Sequence, residues 1–238
     1  MNQLDLFAGI GGFSLAAKWF GIETTQFVEI DPYCQQVLSK NFPGVPIHDD
    51  VTTFTSTTGQ FDIITAGFPC QDASESNPNG RGLEGERTGL FYQVVRIAGD
   101  VKPQFLLLEN VPGLLNRGFG DVLCELARIG FDAEWCCIRA SELGAPHPRK
   151  RLFIIAYPAG PRTTGNKNPA QAQPNQAFIS GDSWWQQNPH PEPAIPSVDA
   201  GLPKGLATKL CRVLGNTVVP QCAAIAYQRI MELNKCHH

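Results

Sequence analysis

Three continuous apolar runs constrain this chain most: FDIITAG at 61–67, QFLLLEN at 104–110 and RLFIIAY at 151–157. Each has the length of a strand, and none alternates apolar with polar residues. A strand covered by helices on both faces needs apolar side chains on both, as in the middle of a parallel sheet. A fourth run, QLDLFA at 3–8, breaks into the turn GIGG and then a helical segment over 13–20. QFVEI at 26–30 is a further strand, and Asp31 is placed to cap a helix with Pro32 at its first position. Val122, Leu126 and Ile129 share one helical face, with Gly130 as the stop. Strand and helix alternate over 1–157, which predicts an open α/β sheet with helices on both faces.

The pattern breaks after Tyr157. Residues 158–196 hold eight of the nineteen prolines, so little there can be helix interior or central strand. Phe178, Ile179, Trp184 and Trp185 are more apolar than a bare linker requires, and predict a small loop-rich module over 158–213. From Gly215-Asn216-Thr217 onward the chain reads as helix again, with Val218, Cys222 and Ile225 on one face continued by Ile230 and Leu233. The expected organisation is a main domain over 1–157, the module over 158–213, and a helical segment over 214–238 returning to the main domain.

Charge and cysteine usage narrow the class. The net charge of −3 does not suggest a nucleic-acid partner, yet Leu143 to Gly181 contains no acid and carries Arg149, Lys150, Arg151, Arg162 and Lys167. Such a stretch is either one face for phosphates or a loop that happens to lack acids. Eight scattered cysteines with no Cys-x-x-Cys pair predict free thiols and no zinc site. No apolar run reaches the roughly eighteen residues of a membrane span. The opening MNQLDLFAGIGG has no basic start followed by an apolar stretch. No membrane association is expected, and the expected location is the cytoplasm of a bacterium or phage-infected host.

Four features carry chemistry. Glycines after QLDLFA let the backbone approach a ligand closely. Glu29 ends the next strand about twenty residues on, where an acid in such sheets grips ribose hydroxyls. Asp50 follows a third expected strand at Ile47; Asp31 and Asp50 could equally be plain caps. Gly67-Phe68-Pro69-Cys70-Gln71 and Glu109-Asn110-Val111-Pro112-Gly113 then put a thiol and a carboxylate just beyond two strands. Ligands of open α/β sheets bind at those ends, so Cys70 and Glu109 make a candidate nucleophile and acid.

With these motifs in this order, the sequence resembles the DNA cytosine-5 methyltransferase family, prokaryotic or phage type. The resemblance implies a Rossmann-like sheet that binds S-adenosylmethionine, releases S-adenosylhomocysteine and needs no metal. DLFAGIGGFSLA is similar to the motif cradling the methionine part, which marks Phe7, Ala8, Gly9, Gly11 and Gly12. Glu29 with Ile30 matches the ribose acid and its neighbour, and Asp50 with Val51 the adenine contacts. GFPCQDAS is similar to the motif of the catalytic Cys, here Cys70, with Pro69 on the cofactor side. Leu90 matches a cofactor-pocket residue and ENVPG the catalytic Glu109. GAPHPRKRLFIIA resembles the Gln-x-Arg-x-Arg motif with Arg149 and Arg151, and GNTVVPQ the last motif, with Asn216, Thr217 and Val218 at the cofactor.

The resemblance also implies that Gln71, Ser74, His147 and Lys150 face DNA. His147 stands where the family usually has Gln, and 158–213 is short for a recognition domain. The implied partners are double-stranded DNA and a cognate restriction endonuclease, and the implied state is a monomer. Three alternatives remain: the same chemistry on transfer RNA, a non-catalytic relic, and an oxidoreductase. The last leaves Pro69-Cys70 and ENV without a role and lacks the full G-x-G-x-x-G spacing.

Overall fold

The structure is a computed structural model that describes residues 1–69, 88–160 and 215–236. In chain order the elements are β1 (Asn2–Leu6), α1 (Gly12–Lys18), β2 (Glu23–Val28), α2 (Pro32–Asn41), β3 (Ile47–His48), β4 (Ile63–Ala66), α3 (Phe91–Val101), β5 (Phe105–Asn110), α4 (Phe119–Arg128), β6 (Phe131–Arg139), β7 (Lys150–Pro158) and α5 (Pro220–Cys236). The strands form one seven-stranded sheet in the order β3-β2-β1-β4-β5-β7-β6. β1 pairs in parallel with β2 and β4, and β4 with β5; β7 runs antiparallel to both β5 and β6. The order reverses between β1 and β4, and a crevice opens at the carboxyl ends of strands on either side of such a reversal.

The two-faced burial inferred from the apolar runs is visible in the core. Leu106, Leu108, Ile154 and Ala156 pack on one side with Val94, Ile97 and Ala98 of α3 and Val122 and Leu126 of α4. Phe105, Leu107, Phe153 and Ile155 pack on the other with Phe13, Ala16 and Ala17 of α1 and Ala223, Ala226, Tyr227 and Ile230 of α5. The period of two along β5 and β7 thus feeds two cores, which is why neither strand has room for a polar face.

Several expectations are corrected. RLFIIAY was read as suiting a parallel sheet, and β7 is antiparallel; continuous apolarity reports cover on both faces, not strand direction. The strand before Asp50 is only two residues long. The buried face of α5 centres on Ala223, Tyr227 and Ile230, while Val218 precedes the helix and Ile225 and Leu233 are only partly buried. Strand β6 and helix α3 were not anticipated. Asp31 does cap α2, accepting from the amides of Tyr33 at 2.8 Å and Cys34 at 3.3 Å, with Pro32 at the first position. Gly130, at φ 84°, ends the turn after α4. The loop-rich module lies outside the described residues beyond Gly160. Among the described residues no helix is long and apolar enough to cross a membrane.

Candidate active site

The loop after β1 is shaped by its backbone. Phe7, Gly9 and Gly11 all have positive φ, at 54°, 56° and 88°. A Cβ on Gly12 would sit 2.4 Å from the carbonyl oxygen of Val218, and one on Gly11 would sit 2.6 Å from the Phe42 ring. The first obstacle is backbone, so Gly12 is required by the close approach of the segment leading into α5. The loop is tied to β2 through Glu29, whose carboxylate accepts from the amides of Gly9 at 2.7 Å and Asp31 at 2.8 Å. Burial raises the Glu29 pKa, and those amides oppose the rise by favouring the anion.

Beyond Glu29, Ile30 is 74% exposed, a large apolar side chain standing open at a strand end. Asp50 accepts from the amide of Thr52 at 2.8 Å and from its hydroxyl at 2.7 Å, and these bonds lower its pKa. It therefore caps a turn, the plainer of its two readings, while its carboxylate still faces solvent. Val51 is buried, and its carbonyl accepts from Arg96 of α3 at 3.0 Å. Leu90 packs against the core at the start of α3, and Thr217 and Val218 approach Gly9 and Gly12 from the other side. Asn216 is exposed.

The second half of the site is at the ends of β4, β5 and β7. Glu109 is buried at 6% exposure and pairs with Arg151, whose Nε lies 2.9 Å from Oε1. The pair is close but not aligned as a hydrogen bond, which leaves Oε1 without a hydrogen-bond partner among the described residues. Burial raises the Glu109 pKa, and Arg151 and then Arg149 pull it back. Arg149 is itself partly buried; desolvation and the Arg151 charge lower its pKa while Glu109 raises it. A Cβ on Gly67 would lie 3.6 Å from Oε2 of Glu109, and Asn110 donates from Nδ2 to the carbonyl of Phe68 at 3.3 Å. The chain leaving β4 toward Pro69 is thus fastened beside Glu109. Nδ1 of His147 is buried with no hydrogen-bond partner among the described residues, and Lys150 is exposed. Cys70, Gln71 and Ser74 lie outside the described residues.

These residues fall into two groups along one end of the sheet, one built from β1, β2 and β3 and one from β4, β5 and β7. Sequence reasoning missed Asp5, fully buried and bonded to Ser14 and Thr65, and Arg96, which holds Val51. An acid inside an otherwise apolar strand was the available signal for Asp5.

A family model, described as C-5 cytosine-specific DNA methylase, matches residues 1–190. The chain belongs to the C-5 cytosine-specific DNA methylase family. The type II methyltransferase M.DsaV of Dactylococcopsis salina is 34% identical over 172 residues, covering 71% of this chain and 48% of that protein. The type II methyltransferase M.HhaI of Haemophilus parahaemolyticus is 33% identical over 161 residues, covering 66% and 49%. The chain therefore spans about half the length of these curated relatives. The solved structure of the S. pombe Dnmt2 methyltransferase shares the fold at a TM-score of 0.56, with 16% identity over 79% of this chain and 63% of that one.

The cofactor that the family uses, S-adenosylmethionine, fits what the first group offers. The loop after β1 keeps its backbone free of side chains at Gly9, Gly11 and Gly12, Glu29 and Asp50 stand just beyond successive strands, and Ile30 offers an uncovered apolar surface. Among the described residues no group of three or more His, Cys, Asp or Glu could hold a metal ion.

Proposed function

We propose that this chain transfers a methyl group from S-adenosylmethionine to carbon 5 of a cytosine in double-stranded DNA, with Cys70 as nucleophile and Glu109 as acid. The observation that carries the reading is the fastening of Gly67 and Phe68, just before Cys70, against Glu109 and Asn110. The buried Glu109 carboxyl therefore lies beside the stretch that leads to Cys70.

The cofactor supplies an electrophilic methyl group on a sulfonium sulfur. Phe7, Ala8, Gly9, Gly11 and Gly12 would hold its methionine part, Glu29 and Ile30 its ribose, Asp50 and Val51 its adenine, and Pro69, Leu90, Asn216, Thr217 and Val218 the rest of the pocket. Carbon 5 of cytosine is a poor nucleophile. Addition of the Cys70 thiolate to carbon 6 pushes electron density onto carbon 5, which then takes the methyl group. A base, here solvent water, takes the carbon 5 proton, and its electron pair restores the ring double bond as Cys70 leaves carbon 6 as thiolate. Glu109 keeps nitrogen 3 protonated while the thiolate adds. Its raised pKa, set by burial, favours the neutral, proton-donating form. Arg151 orients Glu109, and Arg149 holds the base carbonyl or a backbone phosphate.

The reacting atoms are out of reach inside a duplex, so the base flips out, at a cost of a few kcal/mol. Gln71, Ser74, His147 and Lys150 contact the DNA around it. The type II names of the relatives support a restriction–modification setting with a cognate endonuclease, and the chain acts as a monomer. Glu109→Gln tests the assignment. Methyl transfer to duplex DNA should fall by at least about two orders of magnitude, the scale of a lost acid–base group. A loss under tenfold makes Glu109 structural. Transfer to transfer RNA but not to duplex DNA would overturn the substrate.

A further inference from the structure

A chain of buried polar side chains runs beneath the loop after β1, where an apolar core would be expected. Tyr227 of α5 donates its hydroxyl to Oε1 of Gln3 on β1. That bond fixes the Gln3 amide: Nε2 must point away, toward the hydroxyls of Ser14 at 3.5 Å and Thr24 at 3.3 Å. The Ser14 hydroxyl donates onward to Asp5 at 2.7 Å, and Asp5 accepts a second bond from Thr65 of β4 at 2.8 Å. Tyr227, Gln3, Ser14, Asp5 and Thr65 are all fully buried. The bonds from Tyr227 through Gln3 and Ser14 all run in one direction, from α5 toward Asp5. Ser14 lies in the first turn of α1, whose N-cap, Gly11, has no side chain to cap it. Asp5 therefore serves as the anchor for that end of the helix.

The same two segments meet a second time on the loop's upper side. Val218, just before α5, presses its carbonyl where a Gly12 side chain would be, and Thr217 lies next to Gly9. The loop is held between the segment entering α5 and a hydrogen-bonded chain leading from α5. Truncating a member of such a chain leaves a buried polar group unmatched, and that cost is felt along the chain.

We infer that the Tyr227–Gln3–Ser14–Asp5 chain is a latch making the cofactor-holding shape of the loop over 7–12 conditional on docking of α5, with Tyr227 and Ser14 as positioning residues for S-adenosylmethionine. This rests on the cofactor reading above. Neither residue needs to touch the cofactor. Tyr227 acts from beneath through Gln3 and Ser14, and its ring stays packed against Phe20, with centroids 6.0 Å apart, whether or not the hydroxyl is present.

The test uses the full chain and S-adenosylhomocysteine as the probe. Tyr227→Phe, Ser14→Ala and the double variant are titrated by calorimetry well below their melting temperatures. Amide exchange is followed over residues 7–14. The latch predicts at least about a fivefold loss of affinity in each single variant, the lower range of a coupling between sites. It also predicts faster exchange over 7–14, a double variant no weaker than the worse single one, and a methyl-transfer defect that falls on KM for the cofactor rather than on kcat. Affinity within twofold of the unmodified chain, even with a lowered melting temperature, overturns the latch and leaves the network as plain core. Losses that multiply in the double variant overturn it as well, since they mean independent contacts. No binding by the unmodified chain overturns the cofactor reading itself.

Discussion

Asp5 makes the stability of this protein depend on pH in a way that one substitution can isolate. Its carboxyl is fully buried in β1, and burial raises its pKa from the ordinary 3.8 to about 7, aided by the nearby Glu29 and opposed by the Ser14 and Thr65 hydrogen bonds. The folded state therefore holds a proton that the unfolded chain releases at lower pH. Stability from this group is complete below about pH 4 and is lost as pH rises through 7. The shift of roughly three units corresponds to about 4 kcal/mol at 1.36 kcal/mol per unit.

Asn at position 5 has the shape and hydrogen-bonding capacity of the protonated acid but cannot ionise. Its amide can donate to Thr65, whose hydroxyl then turns to the Leu4 carbonyl, 3.4 Å away. Asp5→Asn should match the unmodified protein near pH 4 and exceed it by up to about 4 kcal/mol at pH 8. Urea unfolding of both proteins at intervals across that range gives the difference directly, and groups remote from Asp5 cancel in it. Curves that stay parallel from pH 4 to pH 8 would refute a protonated Asp5 and the environment assigned to it.

Gly12→Ala puts a methyl group into the Val218 carbonyl, a backbone atom with little freedom to retreat. It should cost about 1–3 kcal/mol in unfolding free energy, the scale of overpacking, and should weaken S-adenosylhomocysteine binding in the same titration. Arg151→Leu strips Glu109 of its paired charge. Urea unfolding at pH 8 should show a loss below the roughly 3–5 kcal/mol of a fully uncompensated buried charge, since Arg149 still faces Glu109. The loss should shrink as pH falls, because Glu109, its pKa already raised by burial, takes up a proton more readily once Arg151 no longer holds it down.

The strands that carry the site were legible because their chemistry is redundant. In β4 and β5 every residue is buried, so the apolar run and the strand coincide, and the motif after each run marks the carboxyl end. Direction was not legible: β7 has the same apolarity as β5 and runs the opposite way, because burial on both faces is indifferent to hydrogen-bond polarity. Strand β6 was missed because it is an edge strand, half-exposed along most of its length and carrying Asp132 and Glu134 among its apolar residues. Helix α3 was there to be read, since Phe91, Val94, Val95, Ala98 and Val101 keep a helical period and are all buried.

In the site, Glu29 and Glu109 were legible as acids at strand ends and Arg151 through the resemblance of its motif, and the 2.9 Å pairing of Glu109 with Arg151 needed the sheet register that brings β7 beside β5. The latch beneath the loop was illegible for the same reason. Tyr227 and Gln3 are 224 residues apart, and nothing local to either sequence position announces the other.

The most direct test of the central claim is methyl transfer by the full chain to duplex DNA, with labelled S-adenosylmethionine and base-resolution readout of the product. The unmodified chain should leave 5-methylcytosine at a defined site. Cys70→Ser should leave none, while binding S-adenosylhomocysteine as tightly as the unmodified chain. Methyl transfer retained by Cys70→Ser would contradict it.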